Sequence, residues 1–62
     1  MTLFQFRRKH DLTQAALAEG IDALITAVSG YENGRRRPAP DIMARIYAFT
    51  EKAVTPNDFY GV

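Results

Sequence analysis

The sequence predicts a compact all-α domain of five short helices, and three observations carry that expectation. Apolar residues recur at helical spacing in successive segments. Capping residues and prolines punctuate those segments at short intervals. No stretch alternates with the period of two that a half-buried strand requires. The chain has 62 residues, 47% of them hydrophobic, and no cysteine. That is one small domain, residues 1–62, held by its core alone, since neither a disulfide framework nor a thiolate metal site is available.

Leu3 and Phe6 start a first helix from Thr2, a candidate N-cap, to His10, with Arg7 and Arg8 off the core side. Asp11-Leu12 is a short connection in which aspartate tolerates a left-handed turn, and Thr13 then caps a second helix through Gln14 to Glu19. Its alanines, Ala15, Ala16 and Ala18, give high propensity and a thin profile. Gly20 is a stop signal and Asp22 a second start signal. The third helix has an apolar stripe of Leu24, Ala27, Val28 and Tyr31 facing the core, with Ile25, Thr26, Ser29 and Gly30 on the opposite surface. Asn33-Gly34 supplies the left-handed C-cap, and Arg35 to Pro40 is a basic loop stiffened by two prolines. Pro40 and Asp41 open a fourth helix, whose Ile42, Met43, Ile46, Tyr47 and Phe49 run to Thr50. Thr55-Pro56-Asn57-Asp58 starts a short fifth helix containing Phe59 and Tyr60.

Net charge is only +1, but six of the eight basic residues fall in two runs, Arg7-Arg8-Lys9 and Arg35-Arg36-Arg37. The first run reads as a solvated helix face. The second follows the third helix directly, which makes phosphate contact the expected role. No apolar run nears the ~18 residues that span a bilayer, and the start of the chain lacks a signal-peptide core, so a cytoplasmic protein without a membrane partner is expected. His10 reads as a surface residue near a helix C-terminus rather than a ligand or catalyst. Glu32 has no accompanying nucleophile, phosphate loop or paired carboxylate and is expected to pair with a nearby arginine. The chain is read as non-enzymatic, with no cofactor and no metal. Tyr31, Met43, Tyr47, Phe49 and Phe59 read as core, while Phe4 and the segment Phe59 to Val62 offer apolar surface for dimerisation.

Two short helices joined by a turn, Gly20 to Ala23, then Asn-Gly and three arginines, form the arrangement that helix-turn-helix DNA binding requires. A thin second helix lets the third project into a groove. Small exposed side chains on the third let it approach base edges, and the basic loop neutralises phosphates.

The segments Leu12-Thr13-Gln14-Ala15-Ala16-Leu17-Ala18-Glu19, Tyr31-Glu32-Asn33-Gly34-Arg35 and Arg37-Pro38, with Val54-Thr55-Pro56 closing the domain, resemble the phage repressor and Cro-like (lambda repressor-like) helix-turn-helix family. The resemblance runs from about Leu3 to Tyr60. It implies that Gln14 makes a phosphate or outer-base contact, that Ile25, Thr26, Ser29 and Gly30 face the major groove, and that Asn33, Arg35, Arg36 and Arg37 grip the backbone. Two positions depart from the pattern: Asp22 stands where the family commonly has Gly, and Leu24 where it has a Ser or Thr cap. The cap of the third helix is thus open between Asp22 and a later residue. The helix-three face also lacks the Arg, Asn or Gln that discriminate bases strongly; Ile25 and the Thr26 methyl can pack on thymine methyls, and a larger share of specificity is expected from DNA shape, the loop arginines and dimer spacing. The reading is a sequence-specific, double-stranded-DNA-binding regulator, a small phage or prophage repressor occupying its operator as a homodimer. The alternative is a protein-interaction module on the same scaffold, binding another regulator or RNA polymerase with little DNA readout.

Overall fold

Side-chain caps fix where the first two helices begin. In the computed structural model, which describes residues 1–60 and only the backbone of Tyr60, α1 spans Leu3–Lys9 and α2 spans Gln14–Gly20. Thr2 Oγ1 accepts from the Gln5 N–H at 3.1 Å and Gln5 Oε1 accepts from the Thr2 N–H at 2.9 Å, a reciprocal capping box. Thr13 Oγ1 accepts from the Ala16 N–H at 3.0 Å. Gly61 and Val62, part of the apolar C-terminal segment read from the sequence, lie outside the described residues.

The third helix, α3, spans Ile25–Asn33 and ends at Gly34, whose φ of 81° is the left-handed cap expected of it. Asp22 does not start this helix. It holds φ 55° in the turn, as Asp11 does between α1 and α2, because aspartate tolerates the left-handed region better than most residues. Leu24 is the N-cap, in extended backbone and without a side-chain cap bond. It is therefore not part of the core stripe. Leu24 is 73% exposed, and Ile21, at the C-cap of α2, is the residue of the turn that enters the core. Gly30 corrects the sequence reading in the opposite sense: it is buried, not on the outer surface of α3.

The α4 helix spans Pro40–Phe49, with Pro40 in its first turn and Asp41 near the positive end of its dipole. Its end is tied by Thr50, 2% exposed, whose hydroxyl donates to the Ile46 carbonyl at 2.8 Å and accepts from the Val54 N–H at 3.2 Å. That bond seats Val54 in the core. The short α5 spans Asn57–Tyr60, and Asp58 reaches back to accept from the Thr55 N–H at 2.8 Å. No strand occurs among the described residues.

Leu3, Leu17, Ile21, Val28, Ile46 and Val54, each at most 1% exposed, bring α1, α2, α3, α4 and the two connecting segments into one core. Each such side chain contributes about 1.5–3 kcal/mol by leaving water, the main stabilising term in a chain without staples. Tyr31 and Met43 join that core as expected, whereas Tyr47 and Phe49 are 38% and 37% exposed. Phe49 lies over Gly20 and against the edge of Phe6, and Tyr47 lines an open groove with Thr55 and Pro56. No helix among the described residues is long and apolar enough to cross a membrane.

Candidate nucleic-acid interface

The α2–turn–α3 unit packs α3 against α2 and leaves one side of α3 open to solvent. The Ile21 N–H bonds the Leu17 carbonyl at 3.1 Å and the Ala23 N–H bonds the Ala18 carbonyl at 2.9 Å, closing α2 and reversing the chain within the turn. Ala18 and Ala27 are both buried, small residues that allow the two helices to pack closely. The outward side of α3 then presents Ile25, 47% exposed, with Thr26 and Asn33 exposed and Ser29 half-buried. Leu24, the exposed N-cap, immediately precedes Ile25 at the start of the helix. The sequence reading misses it, because a stripe of i, i+3, i+4 spacing extends one residue beyond the true start of the helix.

Gln14 is half-buried and already engaged: its amide donates to Glu32 Oε1 at 3.0 Å. Arg7 occupies the rest of that carboxylate, donating from Nε to Oε2 at 2.7 Å and from Nη2 to Oε1 at 3.1 Å, while its Nη1 holds the Leu12 carbonyl at 3.1 Å. Glu32 therefore pairs with an arginine of α1, 25 positions away, and Arg7 is not a solvated side chain. The hydrogen bond to Glu32, helped by its charge and opposed by burial, raises the Arg7 pKa above its ordinary value. The electrostatic consequence is local. The carboxylate of α3 is neutralised in place, and α1, α2 and α3 are locked together beside an open cleft of about 410 Å³ lined by Phe4, Arg7, Gln14, Ser29, Glu32 and Asn33.

Past Gly34 the basic loop turns back on the helix. The Arg36 N–H donates to the Gly30 carbonyl at 3.2 Å, and the Arg36 side chain lies across Gly30 so closely that a Cβ there would fall 2.7 Å from Arg36 Cδ. Its guanidinium sits 6.0 Å from the Tyr31 ring centroid, within cation–π range. Gly30 thus serves as the platform for the loop. Asn33 Oδ1 accepts from the Arg35 N–H at 3.2 Å, and Arg35, Arg36 and Arg37 are all exposed. On α1, the Arg7 and Arg8 guanidiniums lie 5.3 and 5.8 Å from the ring centroid of Phe4, itself 44% exposed. Of the residues singled out from the sequence, Ile25, Thr26, Ser29 and Asn33 share the outer side of α3 and the three arginines follow it. Gln14 adjoins them through Glu32, and Gly30 lies beneath Arg36.

No curated protein and no solved structure matches the chain. The helix-turn-helix family profile matches residues 3–51 of the 62, from the start of α1 to just beyond α4. On that match, and with the helix pair it describes present as α2 and α3, the chain belongs to the helix-turn-helix family of DNA-binding transcription regulators.

Proposed function

We propose that the chain is a sequence-specific regulator that binds double-stranded DNA with α3 in the major groove, and that it represses by occupying an operator as a homodimer. The observation that carries this reading is electrostatic. The one carboxylate of α3 is held by Arg7 and Gln14, and the same helix runs directly into three exposed arginines. A polyanion meets positive charge at that end of the helix without an opposing free carboxylate on α3. Asn33, Arg35, Arg36 and Arg37 are the backbone contacts, and Ile25, Thr26 and Ser29 the base-facing residues. Gln14 braces Glu32 and reaches the phosphate at the rim of the cleft.

Dimerisation is assigned to a separate surface. An open groove of about 610 Å³ between α4 and the α5 segment is lined by Pro40, Met43, Ala44, Tyr47, Thr55 and Pro56, with no carboxylate or cation among them. Such a surface suits a second copy related by a two-fold axis, which uses the same patch on both subunits. Two α3 helices roughly 34 Å apart would read a near-palindrome. The resemblance to phage repressors supports a cytoplasmic regulator.

The test is duplex binding measured across a salt series. Each phosphate contact steepens the log–log salt dependence by about 0.9, so replacing Arg35, Arg36 and Arg37 together by Ala should flatten the slope by up to about 3 and abolish binding near physiological salt. The exposed Leu24 and Ile25 motivate the other reading, a protein-interaction module. It predicts no sequence-selective duplex binding by the native chain and an unchanged protein partner in the triple variant.

A further inference from the structure

The first turn of α3 is occupied in a way that its own stability does not call for. Leu24 has φ −78° and ψ 147°, close to the φ −73° and ψ 161° of Thr2 and the φ −78° and ψ 163° of Thr13 at the N-caps of α1 and α2, and to the φ −64° and ψ 160° of Ala39, which caps α4 without a side-chain bond. Thr2 and Thr13 each accept a backbone N–H. A Ser or Thr fits the conformation at position 24 equally well, yet the site carries a leucine that caps nothing and leaves most of its surface in water. Ile25 follows it, also exposed. Leu24 has the highest fractional exposure of the large apolar side chains described, and an apolar side chain left in water beside a second one, at the head of a helix, marks a surface suited to contact with something else.

We propose that Leu24 and Ile25 form an apolar reading edge for the 5-methyl groups of thymine, so that this chain selects duplex sites by the positions of thymines under the head of α3. The inference rests on the reading of α3 as the helix that enters the major groove, and deepens it. Three observations choose this ligand.

The first is the hydrogen-bonding inventory of the face. Its only hydroxyls are those of Thr26 and Ser29, which discriminate bases weakly. Glu32 is consumed by Arg7 and Gln14, the Gln14 amide donates to Glu32, and Asn33 Oδ1 accepts from Arg35. No arginine, asparagine or glutamine stands free at the head of the helix to fork onto a base edge. The second is the chemistry of the groove: among the groups that base pairs expose there, the thymine methyl is the apolar one. The third is charge and length. Nine residues at ~1.5 Å rise make α3 about 13 Å long, close to the ~12 Å width of the major groove. With Leu24 and Ile25 against base edges, the loop arginines at the other end of α3 arrive at the phosphate wall. An apolar protein groove would offer Arg35 and Arg36 no counter-charge.

The experiment starts from duplexes that the native protein enriches out of a random library, each thymine then being replaced singly by uracil, which removes only the methyl. Expected is a loss of about fourfold in affinity at each contacted thymine, the equilibrium equivalent of one buried methyl, and no loss elsewhere. At the same positions, 5-methylcytosine paired with guanine should bind more tightly than cytosine paired with guanine, which separates a methyl contact from the shape of A·T-rich DNA. L24A and I25A, both on the surface, should fold as the native chain does and should each lose the uracil penalty at their own position. Uniform indifference to uracil, or a uracil penalty that survives in both variants, overturns the methyl edge while leaving α3 as a DNA reader. A folded native protein that enriches no duplex overturns both, and points the same two residues at a protein partner.

Discussion

Replacing Leu24 by serine should stabilise the fold and weaken DNA recognition at once. The backbone at position 24 already has the extended conformation of an N-cap, and the corresponding hydroxyl of Thr13 receives the N–H three residues on at 3.0 Å. The hydroxyl introduced by L24S would take the Ala27 N–H in the same way. That N–H now makes a tight 3.0 Å contact with the Leu24 carbonyl, so the gain falls in the lower part of the ~0.5–2 kcal/mol range for such caps, about 0.5–1 kcal/mol. Little burial is given up, because the leucine is 73% exposed. At about 4–8 °C per kcal/mol for a domain of this size, the melting temperature followed by far-UV circular dichroism should rise by about 2–8 °C. Titration of the same variant with a selected duplex should show a loss of about fourfold or more for the missing contact with a thymine methyl. A melting temperature that stays or falls would refute the placement of the helix start at Ile25. An unchanged affinity would refute the role given to Leu24.

Other substitutions test the supports of the interface. Glu32→Gln removes the charge from a pair whose side chains are only 16% and 7% exposed. The loss should be about 2–3 kcal/mol, between the ~1 kcal/mol ceiling of surface pairs and the ~3–5 kcal/mol of broken buried ones, read as a lower urea midpoint at constant m. Gly30→Ala gains about 1 kcal/mol of helix propensity but drives Arg36 off its platform, so stability should change by less than about 1 kcal/mol. Its salt dependence of DNA binding should flatten by about 0.9 if Arg36 reaches a phosphate. Asp58 has its pKa lowered from 3.8, first by the Thr55 backbone N–H, with the Thr55 hydroxyl and the Met1 ammonium adding to it against the opposing effect of burial. Its contribution is therefore full above pH 3.8 and is lost as the pH falls through the lowered folded value. Asp58→Asn should be less stable near neutrality and show a flatter fall of melting temperature in acid.

Local signals make most of the architecture legible from the sequence. Thr2, Thr13, Gly34 and Pro40 mark helix ends through bonds or dihedrals that depend on neighbours within a few residues, and the structure shows them in those places. Asp11 is legible as a left-handed turn, and Asp22 does the same thing one connection later, though aspartate's equal aptitude for capping points elsewhere. Leu24 escapes the sequence reading because periodicity treats an N-cap residue as if it were already helical. Gly30 and Arg7 escape it for another reason. One is covered by a loop that folds back on it, and the other meets Glu32 across three elements, and neither event leaves a mark in local spacing. Tyr47 and Phe49 follow the apolar pattern of α4, but whether an apolar side chain is covered depends on what the rest of the fold lays over it.

The central claim, that the outer face of α3 reads DNA sequence, is tested most directly by selecting sites from a random duplex library with the folded native protein at about 0.15 M salt, where exposed charges more than ~8 Å apart are largely screened. The account predicts enrichment of an inverted repeat with thymines at fixed positions in each half-site. Recovery of the library unenriched would contradict it.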